Sequence, residues 1–229
     1  MQYLGGKSRI AKQLAAYLTS VRKPGQLYVE PFCGACWVLQ EMENPRQASD
    51  ICEDLILMWQ AVQEGWEPPV VVTREEHAAQ KHAVPSPLRA FVGFGCSFAG
   101  KWFGGYAFCA EGRNYARVAH DSILKKAPKL AGVDFRCCDY RTVSLIDALI
   151  YCDPPYAGRY GYDAAGTFDS DCFWDQVRRW STANTVLVSE EAAPDDFECV
   201  LEIERTLQVR SRQGHEKRTE RLFRWKGAR

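Results

Sequence analysis

Residues 148–156 read ALIYCDPPY. The run 148–152 is apolar or aromatic throughout, the pattern of a strand buried on both faces. An acid and two prolines follow, and because proline cannot continue a central strand the pairing must end at Cys152. Just past that end the prolines would hold the Asp153 carboxylate, the Pro154 carbonyl and the Tyr156 ring in a rigid array. Adjacent acceptors beside an aromatic face suit a planar ring that carries an amine, although a proline-rich turn with a capping Asp has the same composition.

Outward from this stretch, residues 133–137 (VDFRC) and 185–189 (TVLVS) read as further buried strands, as do residues 27–30 and a segment ending at Asp50. Ile10, Leu14, Tyr17, Leu18 and Val21 recur at helical spacing until Pro24-Gly25, which predicts a helix over 8–21; residues 54–63 and 171–180 have the same periodicity. Residues 200–209 and 220–225 read as a closing antiparallel pair. Alternating strands and helices of this kind predict an α/β fold with a doubly wound, mostly parallel sheet.

Ligands of such a sheet bind outside the carboxyl ends of its strands, at the switch point in strand order. The first strand is followed by Glu30-Pro31-Phe32-Cys33-Gly34-Ala35-Cys36, the second ends at Asp50, the third is followed by Asp139-Tyr140 and the fourth by Asp153. A glycine turn after the first strand and an acid ending the second suit a nucleoside-containing cofactor, the acid accepting from ribose hydroxyls. No full G-x-G-x-x-G is present, which disfavours a dinucleotide. Gly5-Gly6-Lys7-Ser8 is not a phosphate loop, because Met1 stands where that motif needs its first glycine.

With 229 residues, 46% of them apolar, the chain is long enough to bury roughly 70–75% of its unfolded surface. Disorder and fibrous repeats are thereby excluded. No apolar run reaches the length of a membrane span and Lys12 interrupts the N-terminal apolar pattern, so a cytoplasmic protein is expected. The 10 cysteines read as reduced thiols. Cys33 and Cys36 with Cys137 and Cys138 do not have zinc-site spacing, and no metal is called for. The 29 basic and 29 acidic residues cancel, yet both ends of the chain are basic, residues 205–229 carrying nine Lys/Arg against Glu216 and Glu220.

Between Asp50 and Val133 lie 82 residues, where a crossover needs a dozen or a few dozen. An insertion is expected over 65–132, with residues 1–64 and 133–229 forming the main domain. Within it, residues 91–115 hold eight aromatics and six glycines, which read either as stacking groups for bases or as a turn-rich packing module.

Together these segments resemble the Dam-like family of adenine-specific DNA methyltransferases. The resemblance rests on Tyr3-Leu4-Gly5-Gly6-Lys7, Glu30-Pro31-Phe32-Cys33-Gly34, Ala48-Ser49-Asp50, Asp153-Pro154-Pro155-Tyr156 and Arg218-Thr219-Glu220-Arg221-Leu222, in that order along nearly the whole chain. It implies a methyltransferase Rossmann-like sheet, S-adenosylmethionine as cofactor and duplex DNA as partner, with residues 65–132 as target-recognition region. It also implies that Tyr3, Lys7, Glu30, Pro31, Phe32, Cys33, Gly34, Asp50, Asp139 and Asp153 line the cofactor site. Asp153, Pro154, Pro155 and Tyr156 would act on a flipped adenine. Lys101, Arg113, Arg159, Arg212 and Lys217 are candidates for DNA contact, and residues 157–170 for a lid. A monomer is expected, and a restriction endonuclease is a candidate partner. Cys36 departs from the family, which has a small residue there, and would crowd the cofactor or set the turn further away. An amine methyltransferase for RNA or protein, or a non-catalytic DNA-binding relative, are the alternatives.

Overall fold

A computed structural model describes residues 1–108, 112–155, 168–207 and 216–228, with backbone alone at 205–207 and 216–218. Tyr156, Arg159, Arg212 and most of the expected lid lie outside the described residues, as does the side chain of Lys217.

The described strands form one sheet in the order β3-β2-β1-β4-β5-β7-β6. These are β1 (Tyr28–Glu30), β2 (Arg46–Asp50), β3 (Val133–Cys137), β4 (Leu149–Cys152), β5 (Thr185–Glu190), β6 (Phe197–Leu207) and β7 (Glu216–Trp225). The first five pair in parallel and β7 lies antiparallel between β5 and β6. The expected doubly wound α/β architecture is present. Helix α1 (Ala11–Val21) begins three residues later than its apolar spacing suggests, and the closing pair is longer than the apolar runs that announced it.

Strand alternation assigns side chains to two cores. Tyr28, Leu149, Tyr151 and Leu187 enter one apolar cluster, together with α1 and α2 (Glu53–Gln63). Val29, Ile150, Cys152, Val186 and Val188 enter the other, which is covered by α6 (Ser170–Ser181) through Phe173, Val177 and Trp180. This two-sided burial is why β4 and β5 read as continuous apolar runs.

Helices α3 (Arg74–Gln80), α4 (Pro87–Ala90) and α5 (Tyr115–Lys126) occupy the expected insertion. Helix α4 passes directly into a π-helical turn, Phe91–Gly95, whose residues are all buried. Phe91, Val92, Phe94 and Cys96 share the first cluster with Ala116, Ala119 and Ile123 of α5 and with Trp59 of α2. Of the aromatics over 91–115, Phe91 and Phe94 are therefore packing groups, and Trp102 and Phe103 pack against that cluster as partly buried neighbours. Phe98 and Phe108 are exposed.

Candidate active site

The chain leaves β1 toward β2 and β3 on one side and returns in β4 on the other, so β1 and β4 flank the switch point of the sheet. Their carboxyl ends deliver Glu30 and Asp153 to one edge. Glu30 is buried and accepts from the Tyr28 hydroxyl at 2.7 Å. Burial pushes its carboxyl up to about 8, and the Tyr28 hydrogen bond only partly opposes this.

The N-terminal segment closes over this edge. Lys7 is 3% exposed, and its Nζ lies 2.8 Å from Asp153 Oδ1 and 3.1 Å from Glu220 Oε1. Glu220, on β7, also accepts from Ser189 Oγ of β5 at 2.6 Å. One ammonium is thus placed between two carboxylates brought together from β4 and β7. Pro154 is buried and Pro155 half-buried behind Asp153.

The turn after β1 is held at several points. Cys33 N–H donates to Ser49 O at 2.9 Å, Gly34 N–H to Asp50 Oδ2 at 3.1 Å, and Trp59 Nε1–H donates to Gly34 O at 2.9 Å. Gly34 has φ +46°, and a Cβ there would stand 2.9 Å from the Tyr3 ring, so the turn and the N-terminal segment close on each other only without a side chain. Tyr3 itself packs on Phe94, with ring centroids 5.0 Å apart. Phe32 and Tyr140 form an aromatic patch with Phe168 and Phe173 beside the turn. Pro31 is buried beneath it.

Asp50 lies at this edge as expected, with a further bond: its Oδ1 accepts from Cys52 N–H at 3.0 Å. The carboxylate therefore braces the backbone of two strand ends. Asp139 caps the turn Tyr140–Thr142 and pairs with Arg141, which holds its carboxyl below the usual range. Cys36 adopts φ +54°, the conformation its glycine-like place demands, and its thiol is fully buried in the first core cluster. Lys101 and Arg113 are exposed. Among the described residues no group of three or more His, Cys, Asp and Glu side chains is arranged to hold a metal ion.

The sequence assigns two charged residues at this site no role there, although Glu220 lies within the C-terminal motif Arg218-Thr219-Glu220-Arg221-Leu222. Glu220 occupies an inward position of β7, on the same face as Leu222. Lys126 ends the buried stripe Ala116, Ala119, Ile123 of α5; a lysine continuing an apolar stripe at helical spacing is the signal for it. It is 2% exposed, donates to Ala35 O of the turn, and sets its Nζ 3.4 Å from the centroid of the Trp37 ring. Burial lowers its pKa from 10.5 to about 7. Between these values unfolding takes up a proton, so this group makes stability rise with pH across that window. Denaturant unfolding should accordingly show wild type gaining on Lys126→Met by a few kcal/mol between pH 7 and 10. A constant difference would mean the amine remains charged in the fold.

The doubly wound sheet, with a glycine turn after β1, an acid ending β2 and an acid-proline corner after β4 along one edge, has the architecture of an α/β methyltransferase. The model of the D12 class N6 adenine-specific DNA methyltransferases matches residues 3–88 and 104–182, and the chain belongs to this family. Its methyl donor is S-adenosylmethionine. No curated protein matches the chain. Among solved structures it is similar to a candidate RNA methyltransferase from Pyrococcus horikoshii, with 10% identity, TM-score 0.42, and 95% of this chain and 82% of that chain covered. It is also similar to a candidate N6-adenine-specific DNA methylase from Listeria monocytogenes, with 13% identity, TM-score 0.35, and 96% and 52% covered. The chain spans about half the length of the latter, and its family membership rests on the sequence match alone. Among the described residues no helix is long and apolar enough to cross a membrane.

Proposed function

We propose that the chain methylates the exocyclic N6 amine of an adenine turned out of duplex DNA. The observation that carries this reading is the Asp153 carboxylate, held by buried Lys7 at the end of β4, one strand away from the braced turn after β1. The turn fits the cofactor: Gly34 leaves no side chain between the backbone and Tyr3, and its N–H and C=O are fixed by Asp50 and Trp59. Glu30, Pro31, Phe32, Cys33 and Gly34 with Tyr3 and Lys7 would hold the methionine portion, Asp50 the ribose hydroxyls, and Asp139 would stand near the adenine.

Adenine's amine is a poor nucleophile because its lone pair is delocalised into the ring. Accepting both of its N–H bonds favours the pyramidal form, and we assign these acceptors to the Asp153 carboxylate and the Pro154 carbonyl. Tyr156 would stack on the base. When bound, S-adenosylmethionine would supply an electrophilic methyl group on a sulfonium, whose sulfur keeps the S–C bonding pair and leaves as a neutral thioether, while the methylated amine would give up one N–H proton to solvent. The residues then contribute chiefly in-line positioning. Flipping the base costs a few kcal/mol, offset by stacking and hydrogen bonding in the pocket. Residues 65–132 would read the target, with Lys101, Arg113, Arg159, Arg212 and Lys217 facing phosphates.

Transfer of labelled methyl to duplex DNA of mixed sequence, followed by base analysis and with an RNA control, tests the reading. Label in N6-methyladenine of DNA is expected. Label confined to RNA, or cofactor binding with no transfer to DNA, would overturn it.

A further inference from the structure

The cluster behind Asp153 is built from four parts of the chain. Lys7 comes from the N-terminal segment, Asp153 from the turn after β4, Ser189 from β5 and Glu220 from β7. Lys7 alone would neutralise Asp153, and a neutral pair is a poor partner for an amine that acquires positive charge as the methyl group arrives. Glu220 changes that balance. Shared between two carboxylates, the ammonium compensates Asp153 less than it would in a pair of its own.

The geometry is that of a held counter-ion. Lys7 Nζ is 2.8 Å from Asp153 and 3.1 Å from Glu220, and Glu220 is itself fixed by the Ser189 hydroxyl at 2.6 Å. Glu220 is buried on an inward-facing position of β7, so it reaches the site through Lys7 and not through solvent. Removing one partner of such a buried pair leaves its charge uncompensated, but here Lys7 keeps a carboxylate in either single variant.

We propose that Glu220 is a positioning residue for methyl transfer: it shares the Lys7 ammonium with Asp153, so that Asp153 meets the target amine as a carboxylate that Lys7 only partly compensates. This rests on the assignment of Asp153 as an acceptor of the amine.

Glu220→Gln keeps the size and one acceptor but removes the charge. It should lower kcat by about 10–100-fold, leave S-adenosylhomocysteine affinity within about twofold, and leave the thermal midpoint within about 4 °C. The acid limb of the kcat profile should move to lower pH, since a negative neighbour of Asp153 has gone. Glu220→Asp should recover part of the rate. Independently of turnover, the Lys7 ammonium resonance should shift in Glu220→Gln. Wild-type kcat with an unmoved Lys7 resonance would overturn the proposal. So would a parallel loss of kcat, cofactor affinity and thermal midpoint, which marks a structural role. Failure of the wild type to methylate adenine in DNA is seen in a separate arm, and refutes the functional reading whatever the variant does.

Discussion

Asp153→Asn should lower kcat for methyl transfer by about 10²–10³-fold, the usual loss when one polar group aimed at developing charge is removed. The amide is nearly the shape of the carboxylate, but it carries no charge and brings an NH2 group into a place where only acceptors are useful. One face of the side chain meets the Lys7 ammonium at 2.8 Å, so the amide oxygen must turn toward Lys7 and its NH2 toward the target. Two donors then face each other where the amine should be bound. The fold should survive the change, because Lys7 keeps Glu220 at 3.1 Å and its charge stays compensated. Binding of S-adenosylhomocysteine, measured by calorimetry, should stay within a few-fold of wild type. Retained wild-type kcat in this variant would sink the assignment of Asp153 as amine acceptor.

What could be read in advance follows the physics of each segment. Strands buried on both faces announce themselves as continuous apolar runs, and β3 and β4 end within a residue of where residues 133–137 and 148–152 predict. Because a doubly wound sheet fixes which strand ends share an edge, it was legible that the four acid-bearing strand ends lie along one edge. Contacts made by side chains distant in sequence were not. Nothing local tells that Lys7 is shared by Asp153 and Glu220, or that Lys126 reaches the turn from the insertion. The aromatic-rich stretch over 91–115 shows the same limit. Its composition fits stacking on bases as well as packing, and only tertiary placement commits Phe91 and Phe94 to the core. Cys36 illustrates the reverse case, in which a non-glycine residue takes a left-handed conformation that costs roughly 1–2 kcal/mol because the surrounding turn demands it.

Asp50 is where two readings of one carboxylate can be separated. As a ribose ligand it acts on the cofactor directly; as a brace it holds Gly34 N–H and Cys52 N–H and acts through the turn. Asp50→Ala removes both roles. It leaves two backbone donors without their acceptor, a loss of about 1–3 kcal/mol each, partly offset because burial raises the Asp50 pKa and so makes its ionised form costly in the fold. By the sign of that shift the offset grows as pH rises through the folded pKa, so the destabilisation should be smaller at pH 8 than at pH 4. Cofactor affinity should fall by about 10–100-fold, the range of one hydrogen bond to a charged group. A 2′-deoxy analogue of S-adenosylhomocysteine distinguishes the roles, because it lacks a hydroxyl that Asp50 would accept from while still needing the turn. The analogue's affinity should fall less on Asp50→Ala than that of the parent compound. An equal fall for both would mean that Asp50 serves the site only by holding Gly34 in place, and would overturn its assignment to the ribose.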